Sequence, residues 1–290
     1  MTTKTLQRRK FIGNGLKGLA GVMLLQHLPA SVMAEYASGK VTMPLGFQTF
    51  PIRDLLSKDF AGTLKMMAGL GYRNVEMCSP SGYVDAGFKA LVPLKAEETR
   101  HIIEDAGLVC PSCHFTFGEL KNNLDDRIDY AKKLGMTQMV CSSFWLPKTA
   151  TLQDYLKACD ELNKIGEATK KAGLQMGYHN HEMEFAIIDN VLIYDAIMKE
   201  LDGNLVKMQF QTEVINLGYK ASDYFKKYPG RFISSHLSDW TADKKQVPIG
   251  QGIIDWKEFF ATAKTAGLHN YFVEMDLNTY KDSAAYIKSL

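Results

Sequence analysis

Eight short β-rich segments alternate with eight longer amphipathic segments in this 290-residue chain, and the alternation predicts an α/β fold. The connections are short, which favours a parallel sheet, and eight repeats favour closure into a single (β/α)8 TIM barrel. Several amphipathic segments also end in Leu-Gly or Ala-Gly, and glycine commonly ends a helix in the left-handed conformation. An open, doubly wound sheet is the alternative.

The elements follow in a regular order. The predicted strands are residues 41–48, 73–77, 108–114, 138–141, 174–179, 206–210, 232–236 and 270–274. The predicted helices are residues 55–70, 96–106, 123–134, 152–172, 192–201, 221–228, 256–266 and 279–290. In the first helix, Leu56, Phe60, Leu64 and Met67 recur at helical spacing. Thr151 and Asp255 are suited to cap the fourth and seventh helices.

The first 34 residues are predicted to be a twin-arginine-type signal peptide. They contain five basic residues and no acid, Arg8 and Arg9 precede an apolar stretch, and Val32-Met33-Ala34 resembles a cleavage site. This predicts a periplasmic location and a barrel over residues 35–290. An uncleaved anchor is the alternative, but the apolar stretch is shorter than the roughly 20 residues that span a membrane. We therefore expect no stable membrane insertion after cleavage.

The charge of the remaining chain argues against nucleic acid as a partner. Without the five basic residues of the signal, the 34 basic residues of the whole chain become 29, against 32 acidic residues. The formal charge is then −3, and the basic character of the full sequence belongs to the signal. A mildly acidic domain has no electrostatic surface for phosphate backbones.

Polar side chains stand at the predicted carboxyl ends of most strands, where barrels place their functional sites. These residues are Gln48, Glu76, His114, His179, His181, Gln211, His236 and Glu274. Imidazole with carboxylate suits Mn, Co or Zn, while oxygen ligands alone suit Mg. A divalent metal in such a site acts as a Lewis acid on a substrate carbonyl. His179 and His181 are two residues apart, so both side chains are expected on one side of the strand.

Four segments resemble the xylose isomerase-like TIM barrel family, in its exported version with the motif YHNHxxEF. They are residues 177–185 (GYHNHEMEF), 236–239 (HLSD), 247–252 (VPIGQG) and 273–276 (VEMD). The resemblance covers about residues 41–290. It implies the barrel fold and sugar chemistry of the sugar phosphate isomerase/epimerase group.

The resemblance also implies a metal site. The family usually binds one divalent ion through Glu, Asp, His and Glu from strands five to eight. The corresponding positions are His179, Gln211, His236 and Glu274, with Glu184 as an additional candidate. His236 and Glu274 match the family, whereas His179 and Gln211 replace the usual carboxylates. The expected cofactor is thus Mn, Co, Zn or Mg.

The expected function is that of a metal-dependent isomerase or epimerase, which removes a proton next to the carbonyl of an unphosphorylated sugar. The catalytic candidates are Glu274, His181, His114 and Glu76. The substrate-contact candidates are Gln48, Trp145 and Trp240. A 3-keto-glycoside lyase or hydratase acting by β-elimination is the alternative, and a non-catalytic sugar-binding barrel is the alternative of another class. The partner is a small sugar or keto-glycoside, and a homo-oligomer is compatible with the sequence.

Overall fold

In the computed structural model, which describes residues 43–290, eight parallel strands close into a barrel. The strands are β1 (Leu45–Gln48), β2 (Asn74–Cys78), β3 (Val109–Phe115), β4 (Gln138–Cys141), β5 (Gln175–His179), β6 (Val206–Gln211), β7 (Phe232–Leu237) and β8 (Asn270–Val273). Each strand pairs with its neighbours in the chain, and β8 pairs with β1 to close the sheet. The predicted closed barrel is confirmed, and the open sheet is excluded.

Helices surround the barrel. They are α1 (Arg53–Lys58), α2 (Phe60–Gly69), α3 (Ala96–Asp105), α4 (Phe117–Asn122), α5 (Leu124–Leu134), α6 (Leu152–Lys171), α7 (Ile193–Glu200), α8 (Ala221–Lys227), α9 (Trp256–Ala266) and α10 (Tyr280–Ser289). Within residues 43–290, no helix is long and apolar enough to cross a membrane. The predicted signal over residues 1–34 and the start of the predicted strand 41–48 lie outside the described residues.

Two helical predictions differ from the structure. The predicted helix 55–70 is divided into α1 and α2 at Asp59, whose extended backbone ends the first helix. The Asp59 side chain accepts the N–H of Gly62 and so caps the second helix, at a donor–acceptor distance of 2.8 Å. The short helix α4 was not predicted, although Thr116 and Glu119 form a capping box at its start.

The glycines that end the predicted helices behave as expected. All five have positive φ angles between 77° and 99°: Gly71, Gly107, Gly135, Gly173 and Gly267. In this conformation the chain turns directly from a helix into the next strand, and the helices are held close to the barrel.

The apolar core lies between the strands and the helices, and the barrel interior contains many polar side chains. Asn74 on β2 and Asn270 on β8, the two strands beside β1, bond to each other at 3.0 Å, and Ser112, Gln209 and Ser234 are fully buried. Branched apolar residues more commonly fill such interiors. Because buried polar groups need partners, these side chains form a hydrogen-bonded floor for the residues at the barrel mouth.

Candidate active site

Three imidazoles meet inside the barrel near the carboxyl ends of the strands. His114, His179 and His236 lie on β3, β5 and β7, all are buried, and their candidate donor atoms lie within 4.8 Å of one another. The ring of His179 lies 4.3 Å from that of His236 and 4.9 Å from that of His114. Alternate strands of a barrel supply one layer of inward side chains, which explains why these three residues meet.

His236 lies between two carboxylates. Its Nδ1 is 2.8 Å from Oε2 of Glu274, and its Nε2 contacts Oε2 of Glu76. Burial alone would lower the pKa of His236, but the Glu274 and Glu76 charges outweigh it and raise the pKa to about 10. Burial would likewise raise the pKa of Glu274, and the His236 charge and hydrogen bond instead lower it to about 2. The residues thus form a carboxylate–imidazolium–carboxylate group.

Glu76 supports this group from below. Its Oε1 accepts hydrogen bonds from Ser112 Oγ at 2.6 Å and from Gln209 Nε2 at 2.8 Å. Gln209 Oε1 in turn lies 2.6 Å from Nε2 of His114. Burial would raise the pKa of Glu76, but His114 and His236 lower it. Glu76 was predicted as a catalytic residue, but it has no exposed surface. It therefore cannot contact a substrate, and its contact with His236 orients that ring instead.

The histidine cluster fits a divalent metal. Nδ1 of His179 is buried and has no hydrogen-bond partner within residues 43–290. Burial, followed by the neighbouring His236 and His181, holds the pKa of His179 well below its usual value, so its imidazole is neutral. A neutral imidazole with an unpaired buried nitrogen is suited to ligate a metal. The cluster also includes His114, which was predicted from the sequence only as a catalytic residue.

Two of the other metal-ligand candidates form hydrogen bonds beside this cluster. Gln211 donates its amide Nε2 to Oε2 of Glu274 at 2.7 Å, so it acts as a hydrogen-bond donor to a candidate ligand. The carboxylate of Glu184 is buried and accepts three hydrogen bonds, from Ser143, Tyr178 and the main chain of His181. Glu184 is therefore committed to the loops beside the cluster.

His181 and Trp145 lie beside each other next to the cluster. Their ring centroids are 4.7 Å apart, and the His181 ring also contacts that of His179 edge-on at 4.8 Å. Burial lowers the pKa of His181 to about 4, so this imidazole is neutral at physiological pH. Trp145 is 54% exposed, so much of its aromatic side chain is accessible at the mouth. The structure thus brings a predicted catalytic residue and a predicted substrate residue together.

The other two substrate-contact candidates have different surroundings. Gln48 is fully buried: its Nε2 contacts Sγ of Cys78 at 3.3 Å, and its Oε1 accepts the N–H of Phe50. Its amide therefore stabilises the turn after β1, and the structure does not leave it free for a substrate. Trp240 is half-buried, and its indole donates to Ser238 Oγ at 3.1 Å.

Asp239 and Glu213 are two further polar residues that follow strand ends at the mouth. Asp239 accepts the N–H groups of Gly250 and Gly252 at 2.9 and 3.1 Å and the indole N–H of Trp256 at 2.8 Å. It therefore fixes the loop after β7. Glu213 follows β6, and burial together with the charges of Glu182 and Glu274 raises its pKa to about 7.

A parallel barrel with imidazole and carboxylate groups at the carboxyl ends of its strands defines a TIM-barrel protein with a metal-competent mouth. The chain belongs to the xylose isomerase-like TIM barrel family, whose model matches residues 64–290. The fold and the resemblance predicted from the sequence are thus confirmed.

Three relatives illustrate the range of this family. An inosose dehydratase from Clostridium perfringens is 28% identical over 93 residues, which are 32% of this chain and 31% of that enzyme. The match therefore spans about a third of the dehydratase. A sugar phosphate isomerase/epimerase from Parabacteroides distasonis superposes with a TM-score of 0.75 at 23% identity, over 87% of this chain and 96% of that one. The structure of the IolI protein with a bound zinc atom superposes with a TM-score of 0.62 at 14% identity, over 85% of this chain and 94% of that one.

Proposed function

We propose that this protein is a metal-dependent sugar isomerase or epimerase that removes a proton next to the carbonyl of an unphosphorylated sugar. The observation that carries the proposal is the position of Glu274 beside the histidine cluster. His236 and Gln211 both bond to its Oε2, while its Oε1 makes no hydrogen bond within residues 43–290. The side chain keeps 18% of its surface exposed. A fixed, ionised carboxylate with one free oxygen can accept a proton from carbon, and loss of the proton on His236 would raise the pKa of Glu274 towards the range of a general base.

A divalent metal would be held by His114, His179 and His236, whose candidate donor atoms lie within 4.8 Å of one another, with Glu274 beside them. His236 would give up its proton when the ion binds, because an imidazolium does not ligate a metal. When bound, such an ion polarises a carbonyl oxygen and stabilises the enediolate that follows proton removal. The unpaired Nδ1 of His179 supports this assignment from the structure. The zinc in the related IolI structure supports it from the family.

The number of carboxylates favours isomerisation over two-base epimerisation. Within residues 43–290, Glu274 is the one carboxylate in contact with the cluster that also has exposed surface, because Glu76 is fully buried. A single base can move a proton between two neighbouring carbons on one face of an enediolate. Epimerisation at one carbon needs a second group on the opposite face, and the neutral imidazole of His181 is our candidate for it.

A lyase that eliminates water or an aglycone from a keto-sugar is the second candidate. Glu274 would take the proton next to the ketone, and the departing oxygen would receive a proton from another group. Glu213 is suited to this role because its raised pKa of about 7 keeps it partly protonated at neutral pH. The similarity to an inosose dehydratase also favours this candidate.

Metal analysis tests the shared part of both reactions. We expect one divalent ion per chain in the purified protein after incubation with Mn, Co or Zn, and loss of the ion in His179→Ala and His236→Ala. His101→Ala is the matched control, because this imidazole on α3 is 75% exposed and should leave the ion in place. Retention of the ion in all three variants would refute the assignment of the ligands.

Product analysis separates the reactions. An isomerase or epimerase acting on a ketose or a 3-keto-glycoside gives a product of unchanged mass, whereas a lyase releases an aglycone or water. Saturable sugar binding without any product would support the third reading, a binding barrel without catalysis. Mass spectrometry of the reaction mixtures distinguishes the three outcomes.

We also propose that residues 1–34 direct the protein to the periplasm by the twin-arginine route, which suits an unphosphorylated substrate. Replacement of Arg8 and Arg9 by lysine should retain the protein in the cytoplasm, as measured by cell fractionation. Normal export of this variant would contradict the proposed route.

A further inference from the structure

The turn after β4 has an unusual backbone conformation beside the candidate site. Ser143 and Trp145 have φ angles of 151° and 50°, in the region that normally favours glycine. Between them, Phe144 is buried against the rings of Phe117 and Tyr178. The side chain of Trp145 is consequently turned outwards and contacts His181. A conformation of this kind persists only where surrounding contacts enforce it.

One buried carboxylate supplies those contacts. Oε1 of Glu184 accepts hydrogen bonds from Ser143 Oγ at 2.7 Å and from the Tyr178 hydroxyl at 2.8 Å. Its Oε2 accepts the main-chain N–H of His181 at 2.7 Å. Glu184 therefore joins the strained turn, strand β5 and the loop that carries His181.

The free-energy cost of burying the Glu184 carboxylate indicates that its hydrogen bonds to Ser143, Tyr178 and His181 do more than fill the interior. Its side chain is fully buried, and it forms no ion pair with a Lys, Arg or His residue within residues 43–290. Burial of an unpaired carboxyl group is unfavourable unless hydrogen bonds compensate for the lost hydration. Here all three compensating donors come from segments that present Trp145 and His181 to the site.

We propose that Glu184 is a positioning residue that fixes Trp145 and His181 beside each other before a substrate arrives. The identity of that substrate rests on the proposed function, whereas the positioning itself does not. In this arrangement the exposed indole face and the neutral imidazole form one preassembled surface next to the histidine cluster. Removing the carboxylate should release the Trp145 turn and leave the histidine cluster in place.

Fluorine NMR of protein labelled with 5-fluorotryptophan tests the positioning without any substrate. Three resonances are expected, for Trp145, Trp240 and Trp256, and Trp145→Phe assigns the first. In Glu184→Gln we expect the Trp145 resonance to shift and broaden while the other two stay unchanged. An unchanged Trp145 resonance would overturn the proposal.

Asp239→Asn provides a reciprocal control. The Asp239 carboxylate accepts the indole N–H of Trp256 and the main-chain N–H of Trp240. This variant should therefore shift the Trp256 and Trp240 resonances and leave that of Trp145 in place. If both variants moved all three resonances, a general loosening of the barrel would explain the effect and positioning by Glu184 would be refuted.

A milder variant covers the case in which Glu184→Gln does not fold. Ser143→Ala removes one donor to the carboxylate and leaves Tyr178 and His181 bonded. We expect a smaller shift of the same Trp145 resonance, and no shift would overturn the proposal as well.

Activity and metal content provide a second readout. If the wild-type protein turns over a sugar, Glu184→Gln should lower kcat/KM roughly 10- to 100-fold, the range expected when a substrate-positioning group moves. Its metal content should equal that of the wild type. Unchanged kcat/KM would count against the positioning role. Absence of turnover in the wild type would instead refute the proposed function and leave the NMR result decisive.

Discussion

Glu76→Gln tests how far the buried carboxylate below the histidines stabilises the barrel. The side chain has no exposed surface and contacts Ser112, Gln209 and His236. Glutamine has nearly the same shape but no charge, so His236 would keep only one of its two carboxylate partners. Removing one partner of a buried ion pair costs about 3–5 kcal/mol. We expect Glu76→Gln to lower the free energy of unfolding by about 3 kcal/mol, the lower limit of this range, because the glutamine amide oxygen can still accept one hydrogen bond.

The pKa shifts of His236 and Glu274 determine the pH range in which these ion pairs stabilise the folded protein. The pKa of His236 is raised from 6.5 to about 10, so its imidazolium stabilises the folded state fully below pH 6.5 and loses this effect as pH rises through 10. The pKa of Glu274 is lowered from 4.5 to about 2, so its contribution is complete above pH 4.5 and is lost as pH falls through 2. The ion pairs therefore stabilise most between pH 4.5 and 6.5.

Urea and thermal unfolding of the metal-free protein measure the effect. At pH 6 we expect the melting temperature of Glu76→Gln to fall by about 6–12 °C, from about 2–4 °C per kcal/mol for a domain of this size. The difference in melting temperature between Glu76→Gln and the wild type should become smaller towards pH 9.5, where His236 begins to lose its proton. Glu104→Gln is the control, since its exposed pair with Arg100 should be worth less than about 1 kcal/mol. A difference in unfolding free energy below about 1 kcal/mol at pH 6, or a difference that grows with pH, would refute the stabilising role of the Glu76 charge.

Three further predictions concern the mouth of the barrel. Glu274→Gln should lower kcat at least about 100-fold because the proposed base is lost, with sugar affinity in calorimetry changed far less; equal losses would argue against that role. Gln211→Asp should tighten metal binding roughly 10-fold by adding a carboxylate, and unchanged affinity in a metal titration would contradict this. Asp239→Asn should lose about 2 kcal/mol and speed hydrogen exchange at Gly250 and Gly252, whereas unchanged exchange would exclude Asp239 as their anchor.

The fold could be predicted from the sequence because its signals are local and repeated. Each strand is short and buried, and five of the intervening helices end at a glycine with positive φ, so element type and order follow from neighbouring residues. The boundary at Asp59 was missed because apolar residues keep their helical spacing on both sides of it. There the capping preference of one side chain outweighs the periodicity of the surrounding segment.

The site could be predicted only as a set of strand ends. The positions of His114, His179 and His236 at the mouth follow from barrel geometry, but their partners depend on strand register. The contact between His236 and Glu76 joins residues that are 160 positions apart. The sheet also has a register shift between β6 and β7 at Met208 and Gln209, which changes the alignment of the two strands. No local pattern indicates such contacts.

His179 and Gln211 stand where the family usually has carboxylates, and these replacements change the position of negative charge around the cluster. The family's usual set provides three carboxylates and one imidazole, whereas this chain offers Glu274 with His179 and His236, and Gln211 donates a hydrogen bond. Glu76 restores one negative charge, but from beneath the cluster, where it contacts His236 and cannot reach a substrate. Because imidazole ligands suit Zn or Co better than Mg, the proposed site would favour the softer ions. Among the residues that the structure describes, Glu274 is the one partly exposed carboxylate beside the cluster, and this is why we propose proton transfer on a single face.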